Sequence, residues 1–196
     1  NLNWSESVGG GNLSIEAAAG KTDLSLTNGS IQVNRTASLA ARWQQGGLTL
    51  RGGATRFELD GNLPATQAAL NTLSSGATGC TNCAAVFAQR FRFKDIKGSI
   101  ATLAMALELG QATLQTEWAR RSSNSTLIPD VQGWYLQGSY RIGAWTPYAA
   151  TGALRFKEPP LGLSTAAAAP PAAAAANAAF DHYLINPNDR KTLQLG

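Results

Sequence analysis

Apolar and polar side chains alternate one for one along most of this chain, and few patterns restrict a fold so tightly. Leu13, Ile15, Ala17 and Ala19 alternate with Ser14, Glu16 and Ala18, and Leu39, Ala41 and Trp43 with Ser38, Ala40 and Arg42. The same rhythm runs through Leu48–Thr55, Thr102–Leu109, Ala112–Ala119, Trp134–Ile142 and Tyr148–Phe156, and begins again at Asp189. Successive side chains of a strand point to opposite faces, so a period of two marks strands with two unlike faces. No long segment carries a helical period. The expected fold is all-β, with about eight antiparallel strands.

The connections narrow the choice further. Gln44–Gly47, Leu109–Gln111 and Ile142–Trp145 are tight, as hairpin turns are. Those between them are long: Lys21–Thr36, Leu59–Gly98, Ser122–Val131 and Lys157–Asn188. Short and long therefore alternate, and antiparallel strands collect each kind at its own end. An outer-membrane β-barrel has that asymmetry, with short periplasmic turns and long extracellular loops. A soluble sandwich has no reason for it.

Composition is compatible with such a barrel. Charged residues are 14% of the chain, against about 25% in ordinary soluble domains. There are 20 glycines, and no apolar run approaches the roughly 18 residues of a membrane-spanning helix. The basic residues are scattered, which argues against a nucleic-acid partner. The opening NLNWSESVGGG has no basic stretch followed by an apolar one, so it does not read as a leader peptide. The closing NDRKTLQLG reads as the middle of a strand, so residue 196 is not expected to be a natural terminus.

The aromatic residues fall into two rows. Trp43, Tyr140 and Trp145 stand beside the short turns, and Phe57, Trp118, Trp134 and Phe156 at the long-loop ends. Two such rows describe interfacial girdles, although strand ends of any β-protein can carry aromatics. The other face holds Arg42, Arg51, Gln115, Glu117, Arg121, Tyr135, Gln137 and Arg141. These would line a wet interior, or in a soluble sheet face bulk water; burying them dry would be costly. Arg42, Arg51, Arg121 and Arg141 are the expected wall of that interior. Their excess over Glu16, Glu108 and Glu117 predicts a mild preference for anions.

Two segments differ from the strands. Pro64–Ser74 reads as a short helix within the loop 59–98, which could fold inward as a constriction. Ser164–Phe180, in the loop 157–188, is rich in Ala and Pro and reads as a mobile outer loop with a helical turn after Pro171. Cys80 and Cys83 form a lone CxxC. A zinc site would need a second ligand pair, and His182 is the only histidine. A disulfide and a pair of free thiols both stay open.

Enzyme signatures are few. Gly20-Lys21-Thr22 ends like a phosphate-binding loop, but the first glycine of that motif would fall on Ile15. Glu108 and Glu117 on neighbouring strands read as charges of the wet face rather than an acid–base pair. No catalytic activity, metal or cofactor is expected.

Ala112–Phe156 resembles the central hairpins of Gram-negative general porins, in the branch with phosphate-selective porins. The likeness rests on Glu117-Trp118-Ala119-Arg120-Arg121-Ser122, on Pro129-Asp130, and on the hairpin from Gly133 to Tyr148. Ala69–Leu73, before the strand at Ser99, and the segment from Asn188 fit the same serial order. The resemblance implies a monomeric or trimeric outer-membrane barrel of about sixteen strands, set in lipid and lipopolysaccharide and passing small hydrophilic solutes. The chain departs from the pattern in strand number, in lacking a closing strand with a final aromatic, and in its CxxC and poly-Ala loops. Residues 1–196 are thus expected to be one partial barrel domain. The alternative is a small membrane barrel or secreted β-domain that binds or adheres through its long loops.

Overall fold

The computed structural model describes residues 1–75, 79–157, 161–167, 171, 174–175 and 190–195. Nine strands form one sheet in chain order, each antiparallel to the next. They are β1 (Leu2–Val8), β2 (Gly11–Leu26), β3 (Gly29–Gln45), β4 (Leu48–Asn62), β5 (Ile96–Leu109), β6 (Ala112–Ser123), β7 (Val131–Tyr140), β8 (Tyr148–Phe156) and β9 (Arg190–Leu195). Two helices, α1 (Pro64–Ser74) and α2 (Cys83–Arg90), lie between β4 and β5. The chain is all-β, and among the described residues β1 and β9 are open edges.

Two sequence expectations need correction. The opening segment is a strand, β1, joined to β2 by Gly9 and Gly10 at φ +60° and +79°. A turn with two left-handed residues favours glycine, asparagine or aspartate at both, so the glycine run is a hairpin signal. The segment Lys21–Thr36, expected as a long loop, is mostly strand, with β2 and β3 turning only at Thr27–Asn28. The pattern hides this because apolar parity reverses there. Ile15 and Ala17 are apolar at odd positions, whereas Leu24 and Leu26 are apolar at even ones. An extra residue in β3 shifts the register between Val33 and Thr36, a β-bulge.

The segregation of connections persists. Gly9–Gly10, Gly46–Gly47, Gly110–Gln111 and Arg141–Pro147 join strands at one end. The last of these is closed by mutual backbone bonds between Ile142 and Trp145, at 2.8 and 3.0 Å. The connections of 63–95, 124–130 and 157–189 leave from the other end, where β2 and β3 also project.

The described parts of those long connections pack into one cap. Leu70, Cys83, Phe87, Phe91 and Leu161 are buried together, with Phe87 and Phe91 edge to face at 5.5 Å. Cys80 and Cys83 are joined as a disulfide. Helix α2, read as loop in the sequence, buries Cys83 and Phe87 one turn apart. Asn82 ties the 157–167 segment down, its amide donating to the Gly162 carbonyl at 2.9 Å and its Oδ1 accepting from the Ser164 N–H at 2.8 Å. Ser125, 2% exposed, bonds Arg92 through both its backbone groups. Of the Ala/Pro-rich stretch, residues 164–167, 171 and 174–175 are described, and Pro171, Ala174 and Ala175 are helical; the rest lies outside the described residues.

Candidate functional site

Directly paired residues of antiparallel strands share a face, so the register sorts every side chain. One row runs Ser14, Arg42, Arg51, Ala104, Glu117, Tyr135, Gly152, Thr192. The next row toward the short turns runs Asn12, Gln44, Thr49, Ala106, Gln115, Gln137, Ala150, Gln194. On the loop side, Glu16, Ala40, Gly53, Thr102, Ala119 and Gly133 form another. This is the polar face. Six of the eight residues expected to share it, Arg42, Arg51, Gln115, Glu117, Tyr135 and Gln137, fall within two adjacent rows.

The other two are elsewhere. Arg121 is on the polar face, in the row of Ser38, Thr55, Ile100 and Val131, but it is half-buried. Its Nε donates to the Pro129 carbonyl at 3.2 Å, so it braces the β6–β7 connection. Arg141 lies past the end of β7, its backbone N–H bonded to the Gln111 carbonyl at 2.9 Å. It stands at the short-turn end, apart from Arg42 and Arg51.

Arg42 and Arg51 are direct cross-strand partners. Like charges placed so are destabilising, so folding gains nothing from the pair. Arg42 donates through Nη2 to Gln44 at 3.0 Å. A hollow of about 350 Å³ lies between Ser14, Glu16, Arg42, Arg51, Thr102 and Glu117. The polar face is thus concave here, with two guanidinium groups and two carboxylates around open space. Such a surface holds water and mobile ions. It brings no nucleophile up to a base, and among the described residues no cluster of His, Cys, Asp and Glu could hold a metal.

The cap covers the same side. Ile100, Gly98 and Ile96 descend the polar-face column of β5, and Ile96 is 2% exposed.

On β2–β8 the opposite face is apolar across two rows, which end in Glu6 on β1 and Lys191 on β9. Trp4, Ile15, Ala41, Gly52, Leu103, Trp118, Trp134 and Ala153 form one row. Leu13, Trp43, Leu50, Met105, Thr116 and Leu136 form the next. Trp118 and Trp134 are direct partners toward the loop end, while Trp43 and Tyr140 stand nearer the short turns and Trp145, 80% exposed, lies in one. Phe156 is a correction: it pairs with Val131 in the row of Arg121, on the polar face. Phe57 is on that face too, paired with Gly98. Both are aromatic ends of strands, but parity places them opposite Trp118 and Trp134. Trp4 is the aromatic missed in the sequence, because its strand was not read.

No family model matches the chain, and no curated protein matches it. Among solved structures it is similar to the anion-selective porin from Comamonas acidovorans, at 14% identity and a TM-score of 0.48. The overlay covers 84% of this chain and 41% of that porin, so the chain spans about two fifths of its length.

Proposed function

We propose that this sheet is part of the wall of a water-filled channel in the outer membrane of a Gram-negative bacterium, through which small hydrophilic solutes diffuse. The observation that carries the reading is the unlike chemistry of the two faces. On β2–β8 the apolar face bears no charge from the short turns up to Ala19, Ala37, Ala54, Ala101, Trp118, Trp134 and Ala153, while the reverse of the same strands bears Arg42, Arg51, Glu16 and Glu117. On β5 the apolar face is free of charge over Ala101–Leu109, nine residues, with Glu108 on the other face. At about 3.3 Å per residue and a tilt of about 40°, that is about 20–25 Å, near the height of an outer-membrane barrel's apolar band.

Nine strands alone do not make the channel. At about 4.8 Å spacing and that tilt they cover about 55 Å of circumference. Bacterial single-chain barrels close on even numbers of strands, so closure of edges β1 and β9 takes further strands. The short turns then face the periplasm and the cap lies outside, over the mouth. Charge at the hollow itself is balanced, and the mild anion preference rests on Arg121 and Arg141 being counted with Arg42 and Arg51 against Glu16, Glu108 and Glu117.

The test is planar-bilayer conductance of the full-length protein purified in detergent. Stepwise, ohmic openings with a reversal potential on the anion side are expected. Absence of openings from well-folded protein would refute the channel and move function to the cap.

A further inference from the structure

The disulfide of the cap stands where two long connections meet. Residues 79–82, before α2, lie against 162–166, which belong to the β8–β9 connection. Cys80 and Thr165 form an antiparallel bridge. The Thr81 N–H donates to the Ser164 carbonyl and the Ala166 N–H to the Gly79 carbonyl, each at 2.8 Å. The Thr81 hydroxyl donates to the Ser164 carbonyl as well, at 3.2 Å. With the two bonds of Asn82 to Gly162 and Ser164, every residue from Gly79 to Asn82 takes part in the dock.

The disulfide and the dock share one turn. Cys80 and Cys83 are three residues apart, and a bridge across so short a loop constrains little of the unfolded chain. Its effect is therefore local: it fixes the turn that carries Thr81 and Asn82. Both sulfurs also belong to the buried cluster that holds Leu161, with Cys83 1% and Leu161 6% exposed. Bonded sulfurs stand closer than non-bonded atoms can, so two thiols need more room in that cluster than the bond does. The bond favours the docked segment, and the docked segment shields the bond. Such coupling is reciprocal by thermodynamic necessity.

We propose that Cys80 and Cys83 form a redox latch for the β8–β9 connection. Oxidised, the latch seats residues 161–167 on the cap; reduced, it releases them while the strands stay paired. The reductant is a dithiol. Its first thiolate attacks one sulfur, giving a mixed disulfide and freeing the other cysteine. Its second thiolate then displaces the remaining cysteine. Two electrons and two protons pass to Cys80 and Cys83, and the reductant leaves as a disulfide; the reverse exchange closes the latch. In the channel reading the latch sets how the mouth is covered, but the docking itself does not rest on conduction.

The experiment is hydrogen exchange by mass spectrometry on the full-length protein folded in detergent, with and without dithiothreitol, the free thiols being counted by alkylation. Reduction should speed exchange in 161–167, whose Ser164 and Ala166 amides are bonded to the cap, by about tenfold or more. Exchange in β3–β6 should stay as it was, and C80S/C83S should match the reduced protein. Coupling adds a readout that a plain structural cross-link would not move. Leu161→Ala, on the docked segment, leaves both cysteines and their turn in place, and it should lower the dithiothreitol concentration at half-reduction by about fivefold or more. Asn82→Ala, which removes the bonds to Gly162 and Ser164, should do the same. Unchanged exchange in 161–167 after confirmed reduction overturns the latch. So does equal loss of protection across 83–95 and 124–130, which would make the bond a staple of the whole cap. A half-reduction point that neither variant moves overturns it too. None of these readouts depends on conductance, so a protein without openings would refute the channel and keep the latch.

Discussion

Arg42 and Arg51 show what a single row can carry. They face each other across the β3–β4 hairpin, with Glu117 two strands away in the same row. Two like charges cost folding free energy at that distance, and in the channel reading they act on passing ions. Arg42→Glu together with Arg51→Glu is expected to move the reversal potential toward cations, measured in a salt gradient across a planar bilayer. An unmoved potential would take both out of the conduction path. Gly98 is a residue of the other kind, fixed by packing. The Phe57 ring lies on its Cα, where an added Cβ would overlap the ring carbons. Gly98→Val should destabilise the folded chain by about 1–3 kcal/mol through displacement of that ring, read from unfolding midpoints in urea.

The strands are regular because alternation and glycine turns agree; the cap is held by particular polar contacts. Ser125 joins the 124–130 connection to Arg92, donating to the Arg92 carbonyl at 2.9 Å and accepting its N–H at 3.1 Å. With Ser125 nearly fully buried, Ser125→Ala leaves those backbone groups short of a partner, at a cost of about 1–3 kcal/mol. Faster proteolysis within residues 79–95 and 124–130, with the strands still protected, is the expected result. Equal protection of cap and strands would mean that the hydrophobic cluster around Phe87 and Phe91 suffices. Among these elements, α1 was legible from its proline start and its spacing. Helix α2 was not, because CAAVFAQR is short and buries only Cys83 and Phe87.

At the scale of the molecule, the two faces set the solvent. Leu39, Leu50, Leu103 and Trp134 are all more than two fifths exposed on the apolar face, a contiguous area that a soluble monomer does not leave open. The chain is expected to stay monodisperse in detergent and to aggregate when detergent is removed, by size-exclusion chromatography. A soluble monomer would place a protein partner, rather than lipid, on that face.

The sequence by itself determined most of the strands and their antiparallel order, because alternation is local, but not β1, the outer parts of β2 and β3, or the two-residue turn between them. Parity within one strand sorts its side chains into two sets, but it did not show which set of β8 joins the polar face. Only the tertiary structure decided how strands align. Register across β3, β4 and β6 gathered Arg42, Arg51 and Glu117 into one row, and separated Arg121 and Arg141 from them. Pairing with Val131 likewise put Phe156 on the polar side. A side chain's row depends on partners many residues away, and the bulge near Asn34 resets the phase between them.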